Sequence, residues 1–153
     1  MEAVAAAIEA SALGSFARGS SFAYPLANLV HLLGLVLLIG GIGLLDLRLA
    51  GAFRSLPLAT LSRALTPLAL GGLLLMLLSG PVLFAADAAS LVKSDLFRWK
   101  LVLIGVGLLN ALVFRWLWSG EDGEPGAALR AMAAVSIALW LMVAALGRLI
   151  AYA

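Results

Sequence analysis

The only histidine of the chain, His31, lies in FAYPLANLVHLLGLVLLIGGIGLLDLRLAG (22–51), a run that is otherwise almost wholly apolar. Imidazole offers two chemistries in such a place. It can ligate a metal, and it is the commonest axial ligand of haem iron. It can also stay neutral and hydrogen-bond a neighbouring helix, setting register at roughly 1 kcal/mol; Asn110, Asn28 or a backbone carbonyl would then be its partner. Asn28 and Gly34 flank it at three residues to either side, and Tyr24 and Leu38 share its face. Gly34, Gly40, Gly41 and Gly43 remove side-chain bulk nearby, which allows close helix contact or clearance for a flat ligand. A haem on one imidazole needs Met76 or Met142 as second ligand, a five-coordinate iron, or a dimer that shares the group. Each methionine is equally a core filler.

Other chemistries find little support. With no cysteine, disulfides, thiolate zinc sites, Fe–S clusters and cysteine nucleophiles are excluded. Copper transport calls for clustered Met, His or Cys, and the methionines are scattered. Asp46 and Arg48 read as a local ion pair or headgroup contact, with a proton path as the alternative. Glu121, Asp122 and Glu124 read as a solvated turn. No nucleophile–base pair, phosphate loop or H-E-x-x-H motif occurs.

The elements that must position these residues follow from composition. Of 153 residues, 64% are hydrophobic and 12% charged, and the mean hydropathy is +1.13. Soluble domains carry about 25% charged residues, so this chain belongs in a bilayer. The net charge of +2 and the lack of basic runs interleaved with aromatics exclude nucleic acid. Charge-free or nearly charge-free runs at 19–45, 64–86, 101–114 and 131–147 mark four spans, expected at about 23–46, 66–86, 97–118 and 129–150. The third is long enough only if Lys100 and Arg115 snorkel, and Trp99, Trp116 and Trp118 suit its interfacial ends. Thr66-Pro67 reads as the start of the second span and Gly80-Pro81 as its end, with a short interfacial helix after Pro57 and a cap for the third span at Ser94 or Asp95. Glu2 and Glu9 stand where a signal peptide would be basic, so the opening residues read as one short helix on the membrane surface.

Alternating helices allow depth to be read at about 1.5 Å per residue. His31 then lies roughly 10 Å in from the N-terminal face, and Met76, Trp140 and Met142 share its layer. Asn110 lies roughly 15 Å in by the same rise. Above that layer come Arg98, Lys100 and Arg148. Basic residues divide evenly between the two faces; Arg48, Arg54 and Arg63 share one loop and favour the opposite face as cytoplasmic.

YPLANLVHLLG, DLRLAG, FRWKLVLIGVGLLNALVF and GRLIAY, in that order, resemble a family of small bacterial four-helix membrane proteins with no assigned activity. The histidine of the first span with its following glycines and DLR end, plus the lysine opening the third span, is similar to two further groups. These are the membrane domains of copper-resistance D-type proteins and the membrane protoporphyrinogen oxidase of the HemJ type. That likeness implies haem association, with His31 matching the first-span histidine and Lys100 the third-span lysine.

The expectation is therefore an all-α integral membrane four-helix bundle with an N-terminal interfacial helix, forming one domain in the bacterial inner membrane. His31 would bind haem b or a related tetrapyrrole, for electron transfer or haem handling. Lys100, Arg98 and Arg148 would face the propionates, and Asn110, Met76, Met142 and Gly34 would line the site. Lipid, and with it quinone, a redox partner protein or a second copy, are the expected partners. The alternatives are a non-catalytic accessory protein packed against a larger complex, and a copper or small-solute permease.

Overall fold

The computed structural model describes residues 2–118 and 125–152, and all regular structure among them is helical. Four helices are long and apolar enough to cross a membrane: α3 (Ala23–Ala50), α4 (Leu58–Ala86), α6 (Asp95–Leu117) and α7 (Ala127–Leu149). The last of these runs on into a 3-10 turn at Ile150–Tyr152. Two short helices, α1 (Glu2–Glu9) and α2 (Ala12–Gly19), precede the spans, and α5 (Ala88–Leu91) connects α4 to α6. Glu121, Asp122 and Glu124, read from the sequence as a solvated turn, lie outside the described residues.

The spans touch in the order α4, α3, α7, α6. Between α3 and α4 the reason for close packing is glycine. A Cβ on Gly72 would lie 2.5 Å from the Gly34 carbonyl oxygen, and one on Gly34 would lie 2.7 Å from that of Gly72. The two backbones are thus in direct contact, as small residues permit in bilayers. Leu38, Ala69, Trp140 and Val143 form the buried core where α3, α4 and α7 meet, and Leu103, Ile104 and Leu108 of α6 pack against it. A second cluster, Leu49, Leu58 and Ala133, closes the opposite end with Leu45, Phe114 and Trp118 around it. Among the described residues α4 and α6 share no extensive interface. They approach where Phe84 stacks on Phe97 at a 5.7 Å centroid distance.

Most large apolar side chains of the spans point outward, and in α6 only Gly107 is buried. In water this would be a severe cost; in hydrocarbon it is the expected outer surface. Trp99 and Trp116 are outward-facing near opposite ends of α6, as interfacial aromatic belts require.

Two expectations are corrected. The second span is a single helix from Leu58, with Pro67 and Pro81 inside it, so neither proline marks an end. Proline removes one backbone donor and crowds the preceding turn, but in a bilayer neighbouring helices offset this, and α3 packs along α4. The N-terminal region forms two helices, with Ser11 capping α2 by accepting from the Gly14 amide at 3.3 Å. This pair docks onto the end of α4. Gly14 sits so near the Ala85 carbonyl that a Cβ there would approach it to 2.8 Å. Arg18 donates to the carbonyls of Glu9 (2.6 Å) and Ala86 (3.3 Å), and Glu9 accepts from the Ala89 amide at 2.9 Å. Ser94 caps α6, as expected, by accepting from the Phe97 amide at 3.4 Å.

Candidate ligand site around His31

His31 projects from the first half of α3 toward α4. Its Nδ1 lies 2.9 Å from Ser79 Oγ. The serine hydroxyl has a single proton, and Oγ donates it to the Leu75 carbonyl at 2.7 Å. This turn-back bond is common for serine within helices. With that proton engaged by the Leu75 carbonyl, Nδ1–H donates to Ser79 Oγ, in the tautomer whose Nε2 keeps its lone pair. Among the described residues Nε2 has no hydrogen-bond partner. Metal-binding histidines are commonly oriented in this way, through a hydrogen bond from the other ring nitrogen. Behind the ring, a Cβ on Gly80 would lie 3.8 Å from His31 Cε1, so the glycine leaves the imidazole room without a clash.

Lys100 comes to the same region from the first turns of α6. Its ammonium lies 3.3 Å from where Gly147 of α7 would carry a Cβ, and it is close enough to His31 to interact electrostatically. It is half-buried and has neither a carboxylate nor a hydrogen-bond partner among the described residues. Both residues lie toward the same face of the bundle, as expected.

The other sequence-expected residues are distributed differently. Asn110 is half-buried and turned into the bundle, but its partner is the Met132 carbonyl of α7 (Nδ2 to O, 3.2 Å), not His31. Gly34 is a backbone contact with Gly72, so its missing side chain brings helices together and gives no clearance for a ligand. Met76 is half-buried, its Cγ 2.8 Å from the position of a Gly34 Cβ, and it packs on the core as a filler. Met142 faces away from the bundle, 53% exposed, and does not join the layer. Arg98 is exposed and occupied locally, by Asp95 at 2.9 Å and the Val92 carbonyl. Arg148 is exposed too, hydrogen-bonded to the Tyr152 hydroxyl and stacked on its ring.

Ser79 was not expected, yet it is the residue that orients the imidazole. Its signal was available: it lies three residues from Met76, already placed at the depth of His31, and so on the same helix face. Serine's neutral hydropathy hides it in an apolar run.

A second polar pair lies toward the far end of α3. Asp46 and Arg48, read from the sequence as an ion pair or headgroup contact, are both buried, at 7% and 5% exposure, and do not pair with each other. Two residues apart on a helix, they face different ways. Arg48 donates to the carbonyls of Leu56 (2.8 Å) and Arg54 (3.3 Å), holding the loop to α4. Asp46 faces Ser136 of α7, and its Oδ2 has no partner among the described residues.

Fold and hydropathy together define an all-α, multi-pass membrane protein of the helical-bundle class. No family model matches the chain, nor does any curated protein or solved structure.

Proposed function

We propose that this protein, in the bacterial inner membrane, binds a b-type haem or related tetrapyrrole through His31 as axial ligand. The observation that carries the reading is the 2.9 Å contact of His31 Nδ1 with Ser79 Oγ, which leaves Nε2 with no protein partner among the described residues. His31 would bind iron through Nε2, and Ser79 would set the plane of the ring. Lys100 supports the reading, since a half-buried ammonium without an anion is suited to a ligand carboxylate. Among the described residues α4 and α6 share few contacts, and a flat group on His31 would enter from that side. Haem, when bound there, supplies one-electron chemistry.

The test is the visible spectrum of the purified protein, as isolated and after haem addition. A Soret band that is lost in His31→Ala, with helical content unchanged, is the expected result. A protein that takes up no pigment, or keeps it in His31→Ala, overturns the proposal.

A second reading has its own support. The bonds from His31 to Ser79 and from Asn110 to Met132 tie α3 to α4 and α6 to α7, as in an accessory protein whose polar groups serve only its packing. A copper permease has less to rest on, because no group of three or more His, Asp or Glu among the described residues could hold a metal ion.

A further inference from the structure

We infer that the stacked rings of Phe84 and Phe97 shut the His31 site off from water at the N-terminal face, so that its ligand enters sideways, from the bilayer between α4 and α6. What enters rests on the tetrapyrrole reading; the closure and the side of entry do not.

The two rings lie 5.7 Å apart and 14° from parallel. Each stands about one helical turn nearer that face than a residue of the site. On α4, Phe84 follows Gly80 by four residues and shares its stripe. Gly80 is the residue against the imidazole, since a Cβ there would lie 3.8 Å from His31 Cε1. On α6, Phe97 precedes Lys100 by three residues on one stripe, and Lys100 is near enough to His31 to interact with it electrostatically. The C-terminal end of α4 reaches this face. Helical side chains lean toward the N-terminus of their helix, so Phe84 tilts toward the layer of the imidazole. The stack is a roof over His31 and Lys100.

Below the roof the two helices part. They are the ends of the arc α4, α3, α7, α6, and residues 87–94 join one to the other. Among the described residues they nevertheless share no extensive interface. The ring pair is therefore the apex of a wedge whose open side meets lipid. A hydrated solute coming from the N-terminal face would meet two aromatic rings, with no donor or acceptor to replace its water. A flat apolar group already dissolved in the bilayer meets no such barrier. Phe84 and Phe97 hold each other by ring contact alone, so the closure is one that side-chain motion can undo.

The chain has no cysteine, so a single introduced thiol reports access without background. Gly80→Cys places one beside the imidazole, with its Cβ at ordinary contact distance. In nanodiscs its rate of modification by the trimethylammonium-ethyl methanethiosulfonate cation, which stays in water, would be divided by that of uncharged methyl methanethiosulfonate, which enters lipid. The ratio cancels the reactivity of the thiol itself, and Ser90→Cys, at an exposed position of the connection, supplies the value for free access from water. At Gly80→Cys the uncharged reagent should react and the ratio should fall well below that of Ser90→Cys. Adding Phe84→Ala or Phe97→Ala should raise it about tenfold or more, because the barrier removed is the desolvation of a charge. Phe97→Tyr, which can still stack, should leave it low. A ratio at Gly80→Cys equal to that at Ser90→Cys, no reaction with the uncharged reagent, or a ratio unmoved by both alanine variants would each overturn the inference. None of these rates needs pigment: a colourless protein that gives them loses the haem reading and keeps the gate, and a pigmented one that fails them does the reverse.

Discussion

His31 and Ser79 are joined across two membrane helices by a 2.9 Å hydrogen bond, and the serine hydroxyl in turn donates a hydrogen bond to the Leu75 carbonyl at 2.7 Å. The chain of donors has a direction, from ring to hydroxyl to backbone. With the hydroxyl committed to the carbonyl, helix geometry favours the tautomer that carries its proton on Nδ1.

Ser79→Ala should therefore separate orientation from ligation. The ring loses its anchor, but Nε2 remains. Stability should fall by only about 0.6–1 kcal/mol, typical of interhelical hydrogen bonds in bilayers. On the haem reading, pigment should remain with weakened retention and a shifted spectrum, whereas His31→Ala removes it. Absorption spectra and thermal melts of both variants check this.

The neighbours Gly71 and Gly72 should respond oppositely to alanine. A Cβ on Gly72 would fall 2.6 Å from the Leu38 amide nitrogen, whereas one on Gly71 meets nothing within 4 Å. Gly72→Ala should cost about 1–3 kcal/mol through overpacking. Gly71→Ala should be neutral or slightly stabilising, from helix propensity. Denaturation in mixed detergent reads both.

Asn110→Leu should cost about 1 kcal/mol or less and leave any pigment unchanged. The amide bonds the Met132 carbonyl, which is a tie between α6 and α7 and not part of the His31 layer. A spectrum altered by Asn110→Leu would contradict that separation.

Arg48 is a loop anchor, donating from Nε to Leu56 and from Nη2 to Arg54. Arg48→Met should loosen residues 53–56, already at the surface, so that protease cuts there at a much higher rate. Arg48→Lys should not restore protection, because one ammonium cannot reproduce the planar fork of a guanidinium. Limited proteolysis of reconstituted protein measures it.

How much of this was legible beforehand depends on the kind of information. The four spans were, because hydrocarbon solvation depends on length and composition. The extent of α4 was not, because Pro67 and Pro81 are local breakers whose effect is overridden by packing against α3. Residue counting put His31 and Lys100 toward the same face, but it also put Asn110 near the His31 layer, whereas its partner Met132 lies near the start of α7. Rotation about the helix axis was not legible. A helix that is apolar all round gives no sign of which stripe faces inward, so Met76 and Met142 looked equivalent although one packs in the core and the other meets lipid. The same uncertainty of facing concealed Ser79 and made Asp46 and Arg48 look like a pair.

The glycine crossing of α3 and α4 also bears on how the chain is made. Gly34 and Gly72 bring two consecutive spans into backbone contact, with Gly51, in the left-handed conformation at φ +112°, ending the first of them. Such a helical hairpin can assemble as soon as its second arm leaves the ribosome, before α6 exists. The α6–α7 arm pair follows as a second hairpin, tied by Asn110. Biogenesis would then proceed in two halves, joined last along the α3–α7 seam. Two fragments divided between Val92 and Ser94 and expressed together should find each other in the membrane.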